Sequence, residues 1–390
     1  MYRVSKHPPA AGRLTRDYIN TTCFLSKCKE VMEEISLKSA IAKLQNALHA
    51  SLRFEHTGPK MDIEDTDSDC DCESLEELIH DTPGYVNAQN KDGDTPMHKA
   101  VRAALYESEW LCFELLIETP GDYVNIQNNN GNTPIHLAAQ LAAQGGDGDG
   151  TFCLSELLKK NPLANVNIPN ELGDTPIHIV AESGQIEQLK ALLGVGANVN
   201  AQNKDGNTPI HLAAISGTRD CLKALLGVGA NVNAQNKDGN TPIHLAAENG
   251  QADCLKMLLK QSDMNAKNKD GNTPIHLAAK FGQSDCLGAL LGKCSTDGVE
   301  KAIVNGKNGD GNTPIHLATE YGSIICIEFL LKNGAEVGAK NNGGNTPISI
   351  ARDSIESIKS FNNNDKMLPC FTLLQRNKQC GATTLRDLDD

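Results

Sequence analysis

Along residues 203–234 polar and apolar positions alternate in a fixed order. "NKDGN" is polar and built from residues that accept positive φ at little cost, which predicts a turn. Thr208 and Pro209 follow. A threonine hydroxyl can cap a helix, and a proline at the first helical position loses nothing by lacking an N–H. Ile210, Leu212, Ala213 and Ala214 then predict a short apolar helix, ended by Gly217. In "RDCLKALLGVGA", Leu222, Leu225 and Leu226 fall at i, i+3 and i+4 and predict a second helix, closed by Gly229. "NVNAQN" runs extended into the next turn. The sequence "NKDGNTPIHLAA" of 203–214 returns at 236–247 and at 268–279. The unit is therefore turn, helix, helix, loop.

Thr-Pro pairs mark the copies, at Thr95, Thr133, Thr175, Thr208, Thr241, Thr273, Thr313 and Thr346. The steps between them are 38, 42, 33, 33, 32, 40 and 33 residues, so the unit is 33 and three steps carry insertions. Helices of eight to ten residues fall below the ~12–15 at which an isolated helix becomes marginal in water. Each must bury its apolar face against a neighbouring copy. Alanines in the first helix allow close approach, and aromatics at only 4% suit a thin two-layer stack rather than one large core.

The letters "DGNTPIHLAA…G…CLKALLGVGANVNA" resemble the ankyrin repeat, with its 33-residue period and G-x-T-P-L-H-x-A-A signature. The resemblance covers residues 72–382. It implies an all-α repeat solenoid with β-hairpin finger loops, eight TPxH-type units and N-terminal capping helices. It also implies an L-shaped stack whose concave groove binds proteins through finger tips and the ends of first helices. Carried onto this chain, the tips are Gln202, Lys204 and Asp205; Gln235, Lys237 and Asp238; Lys267, Lys269 and Asp270; and Lys307, Gly309 and Asp310. The helix-end pairs are Glu182 and Ser183, Ile215 and Ser216, Glu248 and Asn249, Lys280 and Phe281, and Glu320 and Tyr321. Phe281 and Tyr321 share one position in adjacent copies. They read either as a binding hot spot or as rings packed beneath the long segment 292–310.

Ile replaces the signature Leu in most copies. The first copy reads "TPMHKAV", with Lys99 intruding, and the last reads "TPISIAR", losing its His; both look like end caps. From the signature Pro to the second-helix Cys there are 12 residues in the regular copies, but 16 at Pro96–Cys112, 19 at Pro134–Cys153 and 23 at Pro347–Cys370. Three insertions therefore fall between paired helices. A fourth, 292–310, is expected to lengthen a finger. Residues 1–25 read as flexible and 61–71 as an acidic linker, with an acidic tail at 383–390. Leu37, Ile41, Leu44, Leu48 and Leu52 form one stripe. An amphipathic helix is expected there, within 26–60, capping the stack or pairing with a partner helix.

Seven of the eleven histidines are the signature residue: His98, His136, His178, His211, His244, His276 and His316. Stacked helices sit about 8–10 Å apart, too far for two equivalent residues to share one metal at bonding distance near 2 Å. The resemblance implies instead that each imidazole ties backbone between copies. Cys112, Cys153, Cys221, Cys254, Cys286, Cys326 and Cys370 repeat at one second-helix position, where Gln188 is the exception; they read as small buried hydrophobes in a reducing compartment. "GGDGDGTFCLSE" at 145–156 fails as a calcium loop, since Phe152 stands where Gly is needed and Leu158 where the bidentate Glu is needed. No nucleotide-binding or hydrolase motif is present.

The net charge of −13 disfavours nucleic acid, and no stretch is apolar enough to span a bilayer. The reading is a non-catalytic intracellular scaffold or adaptor without cofactor or metal. It is expected to be a monomeric array, cytoplasmic, or in a host cytosol if a bacterial effector. An alternative places a thiol- or metal-dependent activity in residues 1–72, using Cys23, Cys28, Cys70 and Cys72.

Overall fold

The computed structural model describes residues 85–104, 110–119, 122–143, 149–292, 303–358 and 367–379. The expected flexible N-terminus, amphipathic helix, acidic linker, Cys-bearing segment 1–72 and acidic tail lie outside them. The chain divides into two compact units, residues 1–129 and 130–390.

The first unit holds helices α1 (Pro96–Ala103) and α2 (Trp110–Glu118), flanked by single 3-10 turns at Tyr85–Asn87 and Tyr123–Asn125. Thr95 caps α1 and His98 returns the bond to the cap backbone, with Pro96 opening the helix. Met97, Val101, Phe113, Leu116 and Tyr123 form the core. The Tyr123 hydroxyl donates to the Ile117 carbonyl at 3.2 Å. Lys99, the intruder in the signature, is exposed. Asp94 is 1% exposed at its side chain and pairs with Arg102, while its second oxygen accepts from Asn128 Nδ2 at 2.7 Å.

The second unit repeats one helical hairpin. Its pairs are α3 (Pro134–Ala143) with α4 (Asp149–Lys160), α5 (Pro176–Ser183) with α6 (Ile186–Gly194), and α7 (Pro209–Ser216) with α8 (Arg219–Gly227). They continue as α9 (Pro242–Glu248) with α10 (Ala252–Leu258), α11 (Pro274–Lys280) with α12 (Ser284–Gly292), and α13 (Pro314–Glu320) with α14 (Ile324–Lys332). The last is α15 (Pro347–Ile358) with α16 (Met367–Gln379). First helices pack on first helices and second on second, in chain order, which is the arrangement of an all-α repeat solenoid.

The middle layer shows why the sequence folds this way. Thr208 (φ −96, ψ 166) caps α7, Pro209 opens it and His211 completes the capping box. Gly217 ends it in the left-handed conformation (φ 73), and the Thr218 N–H closes on the Ala213 carbonyl at 3.1 Å. Ile210, Ala213 and Ala214 are fully buried, as are Cys221, Leu222 and Leu225 of α8. Each such leucine contributes roughly 1.5–3 kcal/mol when removed from water. Every layer supplies these side chains to the next, so no hairpin has to hold a core alone.

Among the described residues no segment forms a strand, so the expected β-hairpin fingers are present as tight turns. In the finger 203–207, the Asn203 N–H donates to the Asn207 carbonyl at 2.9 Å, and Asn203 Oδ1 accepts from the Asp205 and Asn207 N–H groups. Gly206 (φ 77) is required twice over. Its backbone is left-handed, and a Cβ there would stand 2.9 Å from the backbone nitrogen of Lys237 in the next finger.

The fourth insertion does not lengthen a finger. The turn at 308–312 closes as the others do, with Asn308 N–H on the Asn312 carbonyl at 2.9 Å. The extra residues fall in 293–302, between α12 and the buried pair Ile303 and Val304. These residues, and the insertions at 105–109, 144–148 and 359–366, lie outside the described residues.

Candidate interaction surface

Two sets of repeated side chains spend themselves on holding the second unit together, and they define by exclusion what is left to bind. The first is the histidine column. Nδ1 of His211 accepts the Thr208 N–H at 3.1 Å, so the proton of the neutral ring sits on Nε2, which donates to the Asn240 carbonyl of the next layer at 3.1 Å. His136, His178, His244 and His316 do the same to Asp174, Asn207, Asn272 and Asn345, and His276 reaches both Gly306 and Asn312. Burial pushes these imidazoles toward the neutral form: His211 and His276 fall to about 4, and His178, His244 and His316 are lowered for the same reason. Both ring nitrogens are occupied, as the inter-copy role implied by the resemblance requires. Ser349, which replaces the final histidine, keeps the own-layer bond: its Oγ accepts the Thr346 N–H at 2.8 Å.

The second set is one that sequence reasoning missed. Asparagine side chains run a ladder through the finger bases. Nδ2 of Asn236 donates to Asn207 Oδ1 at 2.9 Å, Asn268 to Asn240 at 2.8 Å, Asn308 to Asn272 at 2.8 Å and Asn341 to Asn312 at 2.8 Å. Another ladder joins the loops after the second helices. Asn167 Oδ1 accepts the Asn198 N–H, Asn200 that of Asn231, and Asn305 that of Glu336. The signal was the fixed register of Asn in "NVNAQN" and "NKDGN", which turn propensity alone had already accounted for.

The column of cysteines behaves as expected. Cys112, Cys153, Cys221, Cys254, Cys286, Cys326 and Cys370 are buried. Burial raises the Cys221, Cys254 and Cys286 thiols to about 11, far from reactive thiolates. Cys221 and Cys286 donate to the Val180 and Ala246 carbonyls of preceding first helices, at 3.8 and 3.7 Å.

The sequence-predicted contact residues lie where these sets leave room. All the finger-tip positions are exposed, but several are already engaged. The Lys204, Lys237 and Lys269 N–H groups donate to the Leu172, Asp205 and Asp238 carbonyls of the preceding fingers. Gly309 and Asn342 repeat this on Asp270 and Asp310. Gln202 and Gln235 reach with Nε2 for the carbonyls of Gln235 and Lys267, while Lys267 and Lys307 donate Nζ to the carbonyls of Lys307 and Lys340. These four side chains brace fingers. Free finger-tip chemistry therefore reduces to the side chains of Lys204, Lys237 and Lys269, the aspartates beside them and Asp310.

The helix-end row is different. Ile215, Glu248 and Lys280 are half-buried, and Ser216, Asn249 and Glu320 are exposed. Burial raises the Glu248 carboxyl, opposed by Lys280 and reinforced by Asp238 of its own finger. Burial and Asp174 raise Glu182 in the same way. Helix end and finger of one layer thus share one electrostatic strip.

Phe281 and Tyr321 are the last residues before left-handed Gly282 (φ 74) and Gly322 (φ 70), with N–H groups held on Leu277 and Leu317 at 2.9 and 3.0 Å. Their backbones are fixed while the side chains stay 44% and 54% exposed. Lys280 Nζ lies 5.3 Å from one ring centroid and 5.4 Å from the other. The alternative expectation, rings packed beneath 292–310, concerns residues largely outside the described ones.

Among the described residues no group of three or more His, Cys, Asp or Glu could hold a metal ion, and no helix is long and apolar enough to cross a membrane. The geometry therefore defines a class: stacked helical hairpins, tied by turn-to-turn hydrogen bonds, with a row of variable residues left over. The family follows from direct comparison. The model described as "Ankyrin repeats (3 copies)" matches residues 67–146, 140–236 and 216–302, and "Ankyrin repeats (many copies)" matches 299–351. The chain belongs to the ankyrin repeat family. No curated protein matches it. Ankyrin repeats generally mediate protein–protein interaction.

Proposed function

We propose that the protein is a non-catalytic scaffold or adaptor, and that it grips a partner protein along the helix-end row and finger tips of its second unit. The observation that carries this reading is the pair Phe281 and Tyr321. Two large rings on adjacent layers stand on fixed backbone and remain about half exposed. Preorganised aromatic anchors bind with little ordering cost and are the commonest binding hot spots. Each is worth about 2 kcal/mol or more where a partner covers it. The buried thiols at one repeated position support a reducing compartment such as the cytosol, and the array acts as a monomer.

The test uses the full chain as bait against a cell lysate, beside Phe281→Ala/Tyr321→Ala, with captured proteins quantified by mass spectrometry. The main captured protein is expected to fall at least tenfold on the double variant. Capture equal on both baits for every protein overturns the reading.

A further inference from the structure

The proposed strip carries a chemical bias. Two of its regular finger tips cancel their own charge, Lys204 beside Asp205 and Lys237 beside Asp238, while the third sets Lys267 and Lys269 against Asp270. The helix-end row does not cancel. Glu182, Glu248 and Glu320 occupy one repeated position, and Lys280 is the single cation there among the layers α5 to α13. Among the described residues none of these three glutamates forms a salt bridge. Glu182 and Glu248 moreover sit within electrostatic reach of Asp174 and Asp238. The row is thus short of positive charge even with Lys280 in place.

Lys280 itself shows what the ring pair accepts. Its ammonium is within cation–π distance of both Phe281 and Tyr321, at 5.3 and 5.4 Å, and within the field of Glu248. Two rings and a nearby carboxylate, with Glu320 next to Tyr321 in the chain, make a cation seat. In the free protein the chain's own lysine fills it. Lysine is a compact, strongly hydrated charge on a flexible stem, whereas a guanidinium is planar, more weakly hydrated and stacks on aromatic faces. An arginine from outside is therefore the better occupant.

We propose that the Phe281–Tyr321 ring pair, flanked by Glu248 and Glu320, takes an arginine side chain from a basic segment of the partner, in exchange for Lys280. This rests on the reading of the row as the partner-binding strip. It fixes the partner segment as cationic, with arginine favoured over lysine. Because the carboxylates are partly open to water, binding weakens as salt screens them.

The test is a selection of random 12-residue peptides displayed on phage against the full chain, followed by fluorescence anisotropy of the recovered peptide on four proteins. Wild type is expected to recover arginine-bearing sequences. Affinity for that peptide should fall at least tenfold on Phe281→Ala/Tyr321→Ala and on Glu248→Gln/Glu320→Gln. Lys280→Met, which keeps the stem but removes the charge, should tighten binding about threefold, because the seat is vacated. Weaker binding on Lys280→Met overturns the exchange, since it would mean that Lys280 itself meets the ligand. Recovery of acidic or neutral peptides that still depend on the rings overturns the cationic partner but leaves the strip standing. Peptides indifferent to all three variants, or no recovery at all, overturn both. Circular dichroism of the variants, whose altered side chains are at least partly exposed, separates lost binding from lost fold.

Discussion

The layer α7–α8 and the layer α13–α14 nearly match in their interiors, where Ala214 and Leu222 correspond to Thr319 and Ile327, and hardly at all at their rims. Both place Thr, Pro, Ile, His and Leu in "TPIHLA", bury a Cys and a Leu or Ile in the second helix, and send a histidine to the next layer's carbonyl. At the end of the first helix, however, one has Ile215 and Ser216 and the other Glu320 and Tyr321. The difference teaches that the interior is constrained by a copy of itself, whereas the rim meets only solvent or a partner. A buried residue that repeats is committed to the stack; an exposed residue that varies is free to discriminate.

Acid should break this division most severely, because it strikes the interior of five layers at once. The folded pKa values of His211 and His276 lie near 4, below the ordinary 6.5, through burial. Below pH 6.5 the unfolded chain therefore binds protons that the folded chain refuses, and stability falls as pH drops toward 4. Each of these two histidines is worth about 3 kcal/mol over that window, at 1.36 kcal/mol per unit. The three others with lowered values add in the same direction. Guanidinium midpoints at pH 7 and pH 5 measure it; equal midpoints would contradict the buried neutral column.

A smaller effect separates interior from rim at the end of one helix. Leu225→Ala, at a fully buried site, should cost about 2–5 kcal/mol, whereas Val228→Ala, three residues on and 52% exposed, should stay within about 0.5 kcal/mol. Thermal melts of the two variants compare them directly, and similar losses at both sites would erase the distinction.

The smallest change should be a gain. Ser262 stands where the equivalent loops have Ala197 and Ala230, and its hydroxyl is buried without a hydrogen-bond partner. Ser262→Ala removes that unmet demand and should stabilise by about 1 kcal/mol. A lower melting temperature would show that the hydroxyl is satisfied in solution.

The interior was legible because it is written many times. Thr208, Pro209 and Gly217 announced their caps, and the seven cysteines announced their burial by recurring at one register. What escaped was whatever a single copy cannot reveal. Gln202, Gln235, Lys267 and Lys307 read as partner contacts from one layer, yet their polar ends serve the finger of the next. The asparagines were credited to turns, which explains their φ tolerance but not their side-chain ladder. The insertion within 292–310 reads as finger because residue counting locates an insertion only between landmarks. The buried Val304 and the regular turn at 308–312 move it back toward the second helix.

In the second unit the fingers from Asn170–Asp174 to Asn341–Asn345 each span five residues between their closing backbone partners, even where the repeat containing one is several residues longer than 33. From Gly173 to Gly311 the glycine in each such turn faces the next finger at a separation that admits no side chain, so these fingers of the second unit behave like the teeth of a rack with fixed pitch. The step from Thr273 to Thr313 is 40 residues long, yet the turn at 308–312 within it still spans five. Cutting from one Asp-Gly to the next should remove or add a whole layer and leave a seam chemically identical to the one it replaced.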